Sequence, residues 1–236
     1  MSNVLSRIKW IAAVMLLGLT GVVFAGDTAS AADPANTVRV HRFYNKYQNS
    51  HFYTASMAEA AHVYKNMAAV YRYEGVAFHA YAADATTGLR VHRFYNKATN
   101  THFYTSSEAE ASHVYSTMAA TYAYEGIAYR VDSQYAEDGL ERTALHRFYK
   151  PAQNTHFFTA SGAEATHVYN TMYPAYRYEG EAYIVIKSTA STAPSSVYYP
   201  YCSNAVTAGV TPVLIGDAGY SSNLDSDNDG IGCEAN

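Results

Sequence analysis

The sequence predicts an α+β protein: three strand-strand-helix-strand repeats in a closed pseudo-threefold domain, followed by a small disulfide-linked tail module. Three observations carry this reading. One unit is written three times, each copy joins strand formers to a capped helix, and both cysteines fall in a final acidic stretch.

The copies run from Val40 to Phe78, Val91 to Tyr129 and Leu145 to Tyr183, aligned without internal gaps. Val40-His41-Arg42-Phe43-Tyr44 and His51-Phe52-Tyr53-Thr54 are rich in strand formers, and the polar stretch between them predicts a hairpin. Ser56 with Glu59, Ser107 with Glu110 and Ser161 with Glu164 have the spacing of a capping box. Apolar residues then recur at helical spacing: Ala60, Val63, Tyr64, Met67 and their counterparts Ala111, Val114, Tyr115, Met118 and Ala165, Val168, Tyr169, Met172. A Tyr-x-Tyr-Glu-Gly stretch follows, with a short strand such as Val76 to Phe78 and a further strand open at Tyr71 to Tyr73. Gly75, Gly126 and Gly180 recur in all copies, as a bulge or positive-φ position requires. One unit alone is not expected to bury its helix stripe, whereas three around an axis would.

Before the repeats, Arg7 and Lys9 precede an apolar run from Trp10 to Ala25, with small residues at Ala25 and Ala31. This predicts a secretory signal peptide over residues 1–31, cleaved after 25 or 31. The run is shorter than the roughly 20 residues needed to span a bilayer. The mature chain is therefore expected to be secreted or at the cell surface, without a membrane span. The repeat domain covers residues 38–187, a small polar linker residues 188–196, and the tail residues 197–236.

The formal charge is −4, which argues against nucleic-acid binding. Residues 32–187 carry equal numbers of basic and acidic side chains, so the negative charge of the mature chain resides in the tail.

Nine of the ten histidines occupy three repeated positions: His41, His92, His146; His51, His102, His156; and His62, His113, His167. One reading is local hydrogen bonding, with the equally repeated Glu74, Glu125 and Glu179 as partners. A second is a symmetric zinc or copper site on the axis. A third is ligand contact. No motif of nucleophilic, zinc-protease or phosphate-binding chemistry is present, and groups repeated three times do not make an asymmetric catalytic constellation. The expectation is a non-enzyme, with a glycan hydrolase using the repeated glutamates as the weaker alternative. The HRFYN, NTHFYT and YEG elements resemble a secreted bacterial repeat domain of unknown function. That resemblance implies an accessory binding role for residues 38–187. The third copy departs from it at Lys150, Pro151 and Phe158.

In the tail, Asp225, Asp227 and Asp229 stand at positions 1, 3 and 5 of a calcium-type loop, with Gly230 at position 6. Ile231 would add a backbone carbonyl. Position 12 is Asn236 rather than glutamate, leaving Glu234 as the substitute. Cys202 and Cys233, the only cysteines of an exported chain, are expected to pair. The stretch from Tyr199 to Glu234, with its early cysteine, Gly219-Tyr220, Leu224 and Asp-x-Asp-x-Asp-Gly ending, resembles the excalibur domain, an extracellular bacterial calcium-binding module. The resemblance implies Ca2+ held by Asp225, Asp227, Asp229 and Glu234. The expected function is thus a secreted calcium-binding protein whose repeats bind a cell-wall glycan or extracellular protein. The alternative is a calcium-responsive adhesin or structural protein.

Overall fold

The computed structural model describes residues 36–135, 139–188, 198–208, 210–215, 217 and 219–234. The expected signal peptide and residues 189–196 of the expected linker lie outside them.

Each copy opens with an antiparallel hairpin: β1 (Val38–Asn45) with β2 (Ser50–Thr54), β4 (Leu89–Asn96) with β5 (Thr101–Thr105), and β7 (Arg142–Lys150) with β8 (Thr155–Thr159). In the first two, a buried asparagine side chain holds the turn. Asn45 accepts from the amides of Tyr47 and Gln48, and Asn96 from those of Ala98 and Thr99, at 3.0–3.3 Å. Lys150 stands at that place in the third copy. Its buried ammonium donates to the carbonyl of Asn49 in the first copy. The departure visible in the sequence is therefore a junction between copies, and the asparagines it replaces serve the turn.

The helices are α1 (Met57–Asn66), α2 (Glu108–Thr117) and α3 (Gly162–Thr171). Ser56, Ser107 and Ser161 cap them, accepting from the amides of Glu59, Glu110 and Glu164 at 3.1–3.2 Å. The other half of the expected capping box does not form. The serine amides donate instead to Thr54, Thr105 and Thr159 at 3.0 Å. That frees the glutamates to leave their own copy. Arg42 binds Glu164 at 2.9 Å, Arg93 binds Glu59 at 2.9 Å, and Arg147 binds Glu110 at 3.0 Å. The pairs link first copy to third, second to first, and third to second.

The third strand of each copy is long and continuous, correcting the expected short one: β3 (Tyr71–Ala80), β6 (Tyr122–Val131) and β9 (Arg177–Ile186). A register shift keeps it whole. His41 pairs with Val76 and Phe43 with Tyr73, so the partner strand gains a residue around Gly75. Gly75, Gly126 and Gly180 have φ of 90°, 102° and 103°, and a Cβ there would touch nothing within 4 Å. The dihedral alone selects glycine.

The protein is mostly β-sheet with few helices. One sheet has the order β2-β1-β3-β9-β7-β8 and another the order β5-β4-β6, with isolated bridges Tyr81–Arg130 and Asp132–Ile184 between them. The core shared by all three copies comes from strands, including Val40, Phe78, Val91, Tyr129, Leu145 and Tyr183. Within it Tyr53, Tyr104 and Phe158 meet pairwise, edge to face, with centroids 5.8–6.1 Å apart. The Tyr53 hydroxyl donates to the Phe158 carbonyl, and the Tyr104 hydroxyl to the Tyr53 carbonyl.

The second and third helices pack within their own copies, contrary to expectation. Ala111 and Val114 lie on Phe94 and Phe103, and Ala165 and Val168 on Phe148 and Phe157. These small residues seat each helix on its own pair of phenylalanines. The stripe is also narrower than its spacing predicts, because Tyr115 is 65% exposed and Tyr169 62%.

Tyr104→Phe should lower unfolding free energy by about 1–3 kcal/mol, since the Tyr104 hydroxyl serves both the amide and the carbonyl of buried Tyr53. Urea denaturation of the variant measures this.

Candidate metal centre

The repeated histidines resolve into three local roles. His51, His102 and His156 lie 3.2–3.3 Å from Glu74, Glu125 and Glu179. The same glutamates take Nε of Arg42, Arg93 and Arg147 at 2.9–3.0 Å. His41, His92 and His146 engage the hydroxyls of Tyr73, Tyr124 and Tyr178 through Nδ1 at 2.8–3.0 Å. His62, His113 and His167 lie on exposed helix faces, beside Asn66, Thr117 and Thr171 one turn on. These polar partners belong to the histidine's own copy, while the rings of His51, His102 and His156 also meet Phe157, Phe52 and Phe103 of a neighbouring copy at 4.8–5.1 Å. Among the described residues, the one group of metal-ligating side chains that converges contains no histidine.

Burial would raise the Glu74 carboxyl. Hydrogen bonds from His51 and Arg72, with the charge of Arg42, outweigh it and hold the group at about 2. Glu125 is likewise brought below the usual range, with His102 and Arg93 overcoming burial. The hydrogen bond from His156 leads the lowering of Glu179, joined by Arg147. Burial pushes the His51 imidazole down. A cavity of about 150 Å³ opens beside the first cluster, lined by Arg42, Glu74, Phe158, Ser161 and Glu164.

The acidic centre lies in the tail, built from α4 (Cys202–Thr207), β10 (Val213–Leu214) and β11 (Ile231–Gly232). A Cys202–Cys233 disulfide ties α4 to the end of β11. Between them, one oxygen from each of Asp225, Asp227 and Asp229 lies within 4.8 Å of the others. Asp225 is buried and accepts from the Tyr220 hydroxyl at 2.6 Å and the Gly230 amide at 2.9 Å. These bonds hold its carboxyl below the usual range against burial. Asp229 accepts from the Ile231 amide at 2.7 Å. Asn228 and Gly230, with φ of 60° and 104°, fold the loop back so that alternate carboxylates share one side.

Three of the sequence-predicted ligands are thus brought together. Ile231 is buried in β11 immediately beyond the loop. Glu234 is exposed and lies outside the converging group, though burial and the charges of Asp229, Asp227 and Asp225 raise its carboxyl. Asn236 lies outside the described residues. An all-oxygen group of three carboxylates suits a hard cation such as calcium.

The roles of two tail residues were not read from the sequence, which offered Tyr220 only as part of the resemblance. Tyr220 braces Asp225, and Asp217 binds the body. Asp217 accepts from the Tyr73 hydroxyl at 2.8 Å and faces Arg39 at 3.5 Å, while Arg39 also donates to the Pro212 carbonyl. The signal for Asp217 was its being the one tail carboxylate outside the loop region.

Fold and site together define a β-rich repeat body that carries a disulfide-closed acidic loop. The family described as a domain of unknown function (DUF5648) matches residues 19–132 and 115–212, and the chain belongs to that family. The Excalibur calcium-binding domain, an extracellular module, matches residues 199–234. No curated protein and no solved structure matches the chain. No helix among the described residues is long and apolar enough to cross a membrane.

Two outcomes follow from these sites. Cys202→Ser should destabilise the tail by about 3–4 kcal/mol in the chain-entropy account of a loop this long, read as a lower melting transition under non-reducing conditions. Glu74, Glu125 and Glu179 titrate lower in the folded state than in the unfolded one. The stability they lend is complete above about pH 4.5 and falls as pH drops towards the folded values. Urea midpoints between about pH 5 and 2 should show this slope, and Glu74→Gln should flatten it.

Proposed function

We propose that the protein is a secreted, non-enzymatic binding protein. Its three copies form a closed pseudo-threefold body that engages a cell-wall glycan or extracellular protein, and its tail holds calcium. The convergence of Asp225, Asp227 and Asp229 inside the Excalibur match carries this reading. When bound, calcium supplies the positive charge that offsets three adjacent carboxylates. Asp225, fixed by Tyr220 and the Gly230 amide, orients the loop; Asp227 and Asp229 complete the oxygen set, with the Ile231 carbonyl and Glu234 as the remaining donors.

The state of the repeated glutamates weighs against their serving as the acid of a glycan hydrolase. A glycosidase needs one carboxyl kept protonated by a raised pKa. Glu74, Glu125 and Glu179 are all held ionised by histidine and arginine. The adhesin reading shares the same calcium tail and differs in having a protein partner.

Calorimetric titration of the full chain should show calcium binding with Kd of about 10⁻⁴ to 10⁻³ M, the range of extracellular modules. Asp227→Asn with Asp229→Asn should abolish it. No heat and no thermal shift at several millimolar calcium would end the assignment. A glycan array and a cell-wall pull-down, run with and without calcium, distinguish glycan from protein partners.

A further inference from the structure

Every copy carries the same aromatic shelf. A helix tyrosine meets a tyrosine of the third strand, with a methionine capping the helix beside it in sequence: Tyr64 and Tyr73 with Met67, Tyr115 and Tyr124 with Met118, and Tyr169 and Tyr178 with Met172. The two tyrosine rings meet near edge-on at 5.8–5.9 Å in all three. The strand tyrosine rests on a buried phenylalanine at 4.9–5.0 Å and engages a histidine through its hydroxyl. The shelves differ in cover. Tyr124 and Tyr178 are each 41% exposed, alongside the still more open Tyr115 and Tyr169, whereas Tyr64 and Tyr73 are half-buried.

The tail makes the difference. Leu214 and Ile231 enter the core of the first copy, against which Tyr64, Met67 and Tyr73 pack. Asp217 takes the Tyr73 hydroxyl, and Lys65 donates to the Asn228 carbonyl. Gly230 lies so close that a Cβ would come within 3.1 Å of Ala61 and 2.9 Å of the Lys65 side chain. The seat exists in one copy alone. At the places of Ala61 and Lys65 the second copy has Ser112 and Ser116, and the third Thr166 and Asn170. At the place of Arg39 stand Arg90, already bound to Glu108 at 2.8 Å, and Ala144.

Part of this seat comes from the acidic loop itself. Asn228, Gly230 and Ile231 lie within or directly after Asp225–Asp229, so a change in the loop moves the groups that dock. Three carboxylates within 4.8 Å repel one another, and a cation reverses that balance. We propose that the tail is a calcium-held cap on the first of three repeated aromatic shelves, so that calcium sets whether the body presents two shelves or three. The proposal rests on the calcium-binding reading above and adds its consequence for the body.

Tyrosine nitration of the full chain by tetranitromethane, mapped by mass spectrometry, tests it. In millimolar calcium, Tyr115, Tyr124, Tyr169 and Tyr178 should react while Tyr64 and Tyr73 are protected. In chelator, Tyr64 and Tyr73 should gain reactivity several-fold and the other four stay constant, which also reports an intact body. The double variant Arg39→Ala, Lys65→Ala leaves the loop untouched. It should expose Tyr64 and Tyr73 in calcium and, by reciprocity, weaken calcium binding. Calcium heat with unchanged Tyr64 and Tyr73 reactivity in chelator overturns the cap and leaves the calcium reading standing. Absence of calcium heat overturns both. An unaltered double variant overturns the seat.

Discussion

The arginine that follows the first histidine of each copy fixes most of the architecture. Its guanidinium binds two carboxylates, one from the third strand of its own copy and one from the helix of a neighbour. Arginine suits this because its planar fork presents several donors in set directions. Arg93, the most enclosed, has a side chain only 12% exposed, with Glu59 and Glu125 at 17% and 13%. Charges so far from water are tolerated only while paired. Strand register, the glycine bulge beside Glu74 and the placement of the helix cap must all be right for those pairs to form.

That constraint accounts for the strict recurrence of arginine, histidine and glutamate in every copy. Each Glu–His–Arg cluster is ion-paired within and between copies, and its carboxylate is held below the usual range. The distribution is that of a scaffold joint. Variation gathers elsewhere, on the helix faces and at Lys150, where a lysine replaces a turn asparagine and ties the third copy to the first. The shared scaffold stays constant while the surfaces above it differ.

The tail obeys a different economy. It spans only residues 197–236, and small modules of this size need a staple. It has two, the disulfide and the apolar contact of Leu214 and Ile231 with the first copy. The acidic loop sits between them, braced by Tyr220 and by backbone amides. Charge, covalent closure and docking thus act on one short segment.

Much of this was legible in the sequence. Internal repetition located strands, helices and caps, because strand formers, capping serines and bulge glycines are local preferences that hold wherever the chain lies. The loop spacing marked Asp225, Asp227 and Asp229 for the same reason. The destination of long side chains was not legible. Glu59, Glu110 and Glu164 looked like capping partners, yet they bind arginines of neighbouring copies, because threonines had already satisfied the serine amides. The helix stripe looked fully buried, yet Tyr115 and Tyr169 face outwards, because alanine and valine suffice to seat the helix. Nor did the sequence show that Asp217 and Ile231 dock on the first copy. Local propensity is written in neighbouring residues, whereas pairing across copies depends on which surfaces the closed chain brings within a few ångströms, and only the tertiary structure decides that.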